Sequence, residues 1–298
     1  MNVDAAYAEC RAIAHKHGAN FSVGFRFLPK RKRRAVYAAY AYCRVADDIA
    51  DEEDEVDEST SRQVVEGLSV IHSKTRRLDD WSTELDRAYA GSPTHPITIA
   101  LADALQHFAV PKSAFLALID GCRQDMVKTR YATFAELLQY CELVASSISD
   151  ISLAIFGYRR DSAIEHGRSL ATALQLTNVT RDIGDDLTRD RVYLPADELR
   201  RFGVTEEELF ARAENERVRN LIEFQIARAE QYFRDAEPLL RELDFDARFP
   251  TLLMGGVYAT VLAALRKDPL VAVRKRLSLS PLQKVLVVGT RVLRPHFV

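Results

Sequence analysis

The chain is short of the residues that punctuate or cross-link a backbone. Twelve glycines and ten prolines among 298 residues are too few for the many tight turns of an all-β protein. The four cysteines, at 10, 43, 122 and 141, show neither the close pairing of a zinc site nor the density of a secreted disulfide scaffold. They are expected as reduced core residues of a cytoplasmic protein. No stretch supplies the roughly 20 strongly apolar residues of a membrane span. The longest uncharged run, Phe249 to Leu265, contains a proline, two glycines and a tyrosine, and is expected as a buried helix. The start of the chain carries an early acid, Asp4, and no apolar run, so a signal peptide is not expected. An excess of one charge sign is lacking too: 41 Lys and Arg face 43 Asp and Glu, for a net charge of −2. Such a surface has no global field for nucleic acid, so any phosphate recognition must be local. No glycine-rich dinucleotide fingerprint and no solenoid repeat is present.

What remains is helical in composition and spacing, with Ala, Leu, Arg and Glu dominant. Apolar residues recurring at three and four positions predict helices over 4–18, 33–51, 64–77, 82–90, 96–108, 112–128, 134–156, 163–186, 205–212, 216–243, 249–265 and 280–292. A short helix should start after Tyr193-Leu194-Pro195. Breaks are expected over 20–29, and the acidic stretch 52–61 reads as a loop or helix start. The basic run Lys30-Arg31-Lys32-Arg33-Arg34 reads as a solvated helix start. The fold class is all-α, and 1–298 is expected as a single domain.

Two acidic motifs stand within this pattern: Asp47-Asp48-Ile49-Ala50-Asp51 and Asp182-Ile183-Gly184-Asp185-Asp186. In each, the outer aspartates are four apart, which on a helix sets their Cβ atoms about 5–6 Å apart on one face. Two unit charges about 4 Å apart repel by roughly 4 kcal/mol at an effective dielectric near 20. A divalent cation relieves that repulsion, and Mg²⁺ binds through one or two carboxylates together with substrate phosphates. Taken alone, the first motif is equally a solvated ion pair between Arg44 and Asp47. The second is more telling: Asn178, Arg181, Asp182, Asp185 and Asp186 form a polar stripe on a helix otherwise built from Leu170, Ala173, Leu174 and Leu176. A polar stripe on a core helix must face partners or a cavity. A purely structural buried network is the alternative.

Two such stripes in one helical chain favour a shared site holding two or three Mg²⁺ ions, with Arg44, Arg181 and Arg191 as fixed positive charge for a diphosphate. A diphosphate clamp walled by apolar helices suits a prenyl diphosphate. Tyr40, Phe21, Phe25 and Tyr258 are candidate aromatic faces for an allylic cation, with core packing as their alternative role.

The chain is similar to the squalene/phytoene synthases over nearly its whole length. The resemblance rests on Phe21-Ser22 through Leu28-Pro29, on Ala38-Ala39-Tyr40-Ala41-Tyr42-Cys43-Arg44-Val45-Ala46-Asp47-Asp48-Ile49-Ala50-Asp51, and on Leu174-Gln175-Leu176-Thr177-Asn178-Val179-Thr180-Arg181-Asp182-Ile183-Gly184-Asp185-Asp186. Arg189-Asp190-Arg191-Val192-Tyr193-Leu194-Pro195 follows at the family's spacing. The resemblance implies an all-α isoprenoid-synthase bundle around a central cavity. It implies head-to-head joining of two prenyl diphosphates through a cyclopropylcarbinyl diphosphate, with Mg²⁺ as cofactor and Mn²⁺ as the alternative ion. Two C20 units would give phytoene. Two C15 units would give a squalene-type product, with NADPH where a hydride is needed.

Carried over by position, Asp47, Asp48, Asp51, Asn178, Asp182 and Asp186 are metal ligands, and Arg44 and Tyr40 act beside them. His17, Ser22, Tyr40, Arg44, Gln175, Asn178, Arg181, Arg191, Tyr258 and Arg276 bind substrate. Gly18 and Asn20 depart from the serines of many members, as in hopanoid-pathway synthases, and Ser146 and Ser149 stand where cavity-lining glycines are usual. Asn178 and Arg181 are intact, as in the phytoene and presqualene-type members, and phytoene is the expected product. A non-catalytic assembly factor of the same fold would lack the aspartates. A cyclase or head-to-tail enzyme would differ in the second motif and in Arg191-Val192-Tyr193-Leu194-Pro195. Peripheral membrane contact through the basic run 30–34 or through Arg291 and Arg294 is a further expectation.

Overall fold

The computed structural model describes residues 2–17, 22–52, 63–280, 283, 286–290 and 296–297. The predicted acidic stretch 52–61, Phe21, Arg291 and Arg294 lie almost wholly outside them, only Glu52 being described. Among the described residues the chain forms α-helices and two isolated bridges, Arg130 with Val192 and Tyr158 with Leu243.

Helix α1 (Val3–His17) and the short α2 (Ser22–Phe25) lead into α3 (Lys30–Asp51). Pro29 caps α3, and the basic run forms its first turn, where cations oppose the helix dipole. Two of the five cations are compensated: Lys32 Nζ lies 2.6 Å from Asp246 and 3.3 Å from Asp244, and Arg34 lies 2.7 Å from Asp4. The buried face of α3 is largely alanine, which lets α1, α5 (Pro96–Leu105) and α6 (Lys112–Asp125) pack closely against it. Between them, α4 (Gln63–Tyr89) is one helix where the spacing predicted two. No breaker interrupts it, and Leu78, Trp81, Leu85 and Ala88 are buried at helical intervals. Trp81 stacks on Tyr42 at 4.8 Å, and each ring donates to the other residue's carbonyl.

The predicted 134–156 helix is α7 (Phe134–Cys141) and α8 (Ser147–Phe156), joined by a π-helical turn over Glu142–Ser146. Helix α9 (Ser162–Arg181) is the central element, packed against α7, α8, that π-turn, α13 (Glu216–Ala236), α14 (Leu239–Glu242) and α15 (Phe245–Lys267). It stops one residue before the second motif, where a single helix to Asp186 was predicted. Asp182 leaves helical geometry (φ −97°, ψ 7°) and α10 (Ile183–Leu187) turns onto α16 (Val271–Arg274). Gly184 passes so near that backbone that an added Cβ would stand 2.8 Å from the Val273 carbonyl. Arg212 donates to the carbonyls of Gly184, Val273 and Arg274, which fixes this junction from the far side. The short helices α11 (Ala196–Phe202) and α12 (Glu206–Phe210) precede α13, which ends at Ala236 because Pro238 cannot continue it. The apolar run falls in α15, a largely buried helix as expected, and Pro250 is tolerated near its start.

Candidate active site

Each acidic motif sits at the C-terminal end of a central helix, α3 or α9, and the fold points both ends at one region. Arg191 shows the approach directly. Its Nη1 lies 3.7 Å from Asp51 Oδ1 of the first motif, although Arg191 follows the second motif by only five residues. Its Nη2 donates to the Asp125 carbonyl at 3.3 Å.

In the first motif Arg44 donates to Asp47 at 3.2 Å and also to Asp48, while its Nε is buried with no partner among the described residues. Arg44 thus holds both Asp47 and Asp48, while Asp51 is approached by Arg191. The Asp47 side chain is 55% exposed, yet its carboxyl is pushed up to about 6. Crowding by surrounding atoms is the larger cause and the Asp51 charge the next, only partly offset by Arg44. Solvent contact together with crowding describes a group on a concave wall. Tyr40, half-buried one turn before Arg44, has its phenol pushed up to about 12 by burial.

In the second motif Arg181 forms a fork on Asp182 (2.7 and 2.5 Å), and Arg276 adds a 3.0 Å contact from the chain after α16. Asp186 is the carboxylate under most stress, pushed up to about 7 by burial first and by Asp182 second, against Arg191 and Arg189. Asn178 donates to Gln175 at 3.4 Å and meets the buried Tyr258 hydroxyl, but its Oδ1 is buried without a partner. The structure thus brings together Tyr40, Arg44, Asp47, Asp48 and Asp51 on one wall and Gln175, Asn178, Arg181, Asp182, Asp186, Tyr258 and Arg276 on the other, with Arg191 between. His17 ends α1 in an exposed position, with no described contact to either wall. The side chain of Ser22 lies outside the described residues. Phe25 is buried edge-on against Tyr37 and belongs to the core.

One centre of the site was not legible in the sequence. Asp125, the last residue of α6, accepts from Tyr140 (2.6 Å) and Tyr193 (3.0 Å), and its carboxyl is pushed up by burial against those two bonds and Arg191. Tyr131, Tyr140 and Tyr193 pack with centroids 5.5–5.6 Å apart, carrying two hydroxyls to this acid. Asp125 is felt by both Asp47 and Asp186, so it stands between the two motifs. Arg130 holds the loop that delivers Arg191: it bonds the carbonyl and carboxylate of Asp190, whose φ of 53° is left-handed, and also Glu206.

Among the described residues no three His, Cys, Asp or Glu side chains converge on one ion-sized point. The walls offer paired carboxylates instead, which is the donor set Mg²⁺ uses when phosphate oxygens and water complete its shell. The orphaned Asn178 Oδ1 and the strained carboxyls of Asp47 and Asp186 fit that requirement.

The squalene/phytoene synthase family model matches residues 14–283. A 15-cis-phytoene synthase of Synechococcus elongatus is 31% identical over 301 residues, covering 97% of this chain and 93% of its own. A phytoene synthase of Arthrospira platensis is 33% identical over 276 residues, covering 88% and 84%. Among solved structures, a dehydrosqualene synthase in complex with ligand matches with a TM-score of 0.85 at 25% identity, covering 99% of this chain and 98% of that one. A squalene synthase of Alicyclobacillus acidocaldarius matches with a TM-score of 0.78 at 30% identity, covering 89% and 95%.

Proposed function

We propose that this chain, which belongs to the squalene/phytoene synthase family and is a prenyltransferase, joins two geranylgeranyl diphosphates head to head to give phytoene. The observation that supports the reading is the 3.7 Å contact between Arg191, which follows the second motif, and Asp51, the last acid of the first. In the reaction the C1–O bond of one substrate breaks, and the electron pair leaves with diphosphate. The double bond of the second substrate attacks the allylic cation, and proton loss closes a cyclopropylcarbinyl diphosphate. A second ionisation, rearrangement and proton loss give the hydrocarbon without an added reductant.

Asp47 and Asp51 on one wall, and Asn178, Asp182 and Asp186 on the other, are the groups that hold Mg²⁺. Asp48, bonded by the same Arg44 that contacts Asp47, joins Asp47 and Asp51 on the first wall. At these residues the charge of a bound divalent cation such as Mg²⁺ would offset that of the diphosphate leaving group. Arg44, Arg181, Arg191 and Arg276 already stand against the acids they serve, so they are preorganised to take a diphosphate when metal engages the carboxylates. Tyr40 and Tyr258 border the apolar side, and Gln175 orients the Asn178 amide. His17 and Ser22 are proposed as substrate-binding residues from the family resemblance alone, His17 making no described contact with either wall. On this reading the protein works in the cytoplasm, in association with membrane.

A C15 reading with a squalene-type product has its own support in the likeness to the solved dehydrosqualene and squalene synthases. Incubating the purified chain and Mg²⁺ with C15 or C20 diphosphate, with and without NADPH, separates the two by mass analysis of the lipids. Phytoene from the C20 substrate without NADPH is expected. Turnover of the C15 substrate alone would transfer the assignment to the squalene type, and no lipid from either would refute both.

A further inference from the structure

Of the six large hydrophobic side chains exposed among the described residues, three gather at one end of the bundle: Phe245 at 80%, Phe27 at 51% and Tyr158 at 37%. Phe27 meets Phe249 edge-on at 5.1 Å, and Phe249 lies one turn beyond Phe245 on the same face of α15. Tyr158 belongs to the segment bridged to Leu243, just before α15 begins. These rings form a raised apolar ridge rather than scattered exposure, which marks an interaction surface.

Its border is basic. Lys30 and Arg31 are exposed on the first turn of α3 beside Phe27, and neither has a carboxylate within 4 Å among the described residues. Arg159 and Arg160 are exposed next to Tyr158. Of the acids near this border, Asp244 and Asp246 are engaged by Lys32, Glu242 is bonded by Ser162 and His166 and also faces Arg160, and Asp161 follows Arg160, so the four cations Lys30, Arg31, Arg159 and Arg160 still leave the border net positive. We propose that this aromatic ridge and its basic border dock the protein peripherally on an anionic lipid bilayer.

Aromatic rings that sink to the level of the headgroups, flanked by cations that meet lipid phosphate, are the two components of interfacial binding. A second copy of the chain is the poorer occupant. A two-fold contact through the ridge would bring Lys30 and Arg31 of each copy against the same cations of the other. The orientation also has a use. Both α3 and α15 begin at the ridge, tied there by Lys32 and Asp246, and both run to the diphosphate end, where Tyr40 and Tyr258 lie near each other. Tyr258 is about 20 Å along α15 from Phe245 at 1.5 Å per residue. The apolar end of the bundle therefore faces the bilayer and the charged end faces water. That a hydrocarbon product leaves toward the ridge rests on the function proposed above; the membrane contact itself does not.

The test is co-sedimentation of the full chain with phosphatidylcholine vesicles and with vesicles containing equal phosphatidylglycerol, without prenyl substrate, so that its outcome is independent of which lipid the enzyme makes. The wild-type chain should bind the anionic vesicles at least about 25-fold more tightly than the neutral ones. Phe27→Ser with Phe245→Ser should weaken binding to both by about tenfold or more. Lys30→Gln with Arg31→Gln should weaken only the anionic case, by about fivefold per cation. Phe245→Ser alone, at a site open to solvent, serves should the double aromatic variant lose its wild-type circular-dichroism melt. A wild-type chain left in the supernatant, or ridge variants that sediment like it, would overturn the proposal. So would a wild-type dimer that the aromatic variants dissociate without any change in vesicle binding, which would assign the ridge to a second copy.

Discussion

Asp186 and Asp47 carry carboxyls held near 7 and 6, far above the usual carboxylate range near 3.8. The folded chain therefore keeps protons that the unfolded chain has already released, and unfolding free energy falls as pH rises from about 4 through 7. Without divalent metal, the protein is expected to be more stable at pH 5 than at pH 8. Asp186→Asn should remove part of that slope and stabilise the metal-free protein at pH 8 by on the order of 1–2 kcal/mol, after discounting for solvent screening. Urea melts of both proteins at the two pH values measure it, and an unchanged slope would show that the two walls do not strain one another. Asp125 is raised by burial as well, but its carboxylate carries donors that a substitution would leave without an acceptor. Asp125→Ala leaves the buried Tyr140 hydroxyl without its acceptor and should cost about 2–3 kcal/mol in urea, whereas Asp125→Asn, which keeps one acceptor oxygen, should cost less.

At the scale of elements, the turn between α9 and α10 positions the second motif. Asp186 N–H still bonds the Asp182 carbonyl at 2.8 Å, so the two carboxylates keep one-turn spacing across the bend. Gly184→Ala forces a Cβ against the Val273 carbonyl, a backbone atom that cannot swing aside. A loss of about 1–3 kcal/mol is expected, with a fall in turnover that a simple loss of folded protein does not explain. Among the described residues nothing stands within 4 Å of a Cβ added at Gly289, so Gly289→Ala should be neutral or stabilising by up to about 1 kcal/mol, and paired thermal melts make the contrast. The bend also shows where helical spacing misleads. Nothing in Arg181-Asp182-Ile183-Gly184 announces a stop strongly, because the cause is a contact with α16 some ninety residues later. The fusion of α4 has the opposite origin: a polar stretch such as Asp79-Asp80 reads as a gap, yet Leu78 and Trp81 beside it keep the apolar stripe in phase.

Over the whole molecule, Arg44, Arg181, Arg191 and Arg276 lie against the acids of the two walls, and on the function proposed above a divalent cation with diphosphate would replace those contacts. Chelation with EDTA should abolish turnover, and Mg²⁺ should restore it. Metal with inorganic diphosphate should also raise the melting temperature at pH 8 more than either alone, because the two ligands complete one shell. Thermal scans with each addition read this directly, and equal shifts from diphosphate alone would argue that arginines suffice.

Sequence by itself determined the helical class, the two acidic motifs and most residues of both walls, since one-turn spacing and apolar periodicity are local properties of the chain. Only the tertiary structure decided that the walls meet through Arg191 and Asp51, that Asp125 with Tyr140 and Tyr193 stands between them, and that Phe27 and Phe245 share a ridge. These are contacts between residues distant in the chain, created by how helices pack, and no short window of residues contains them.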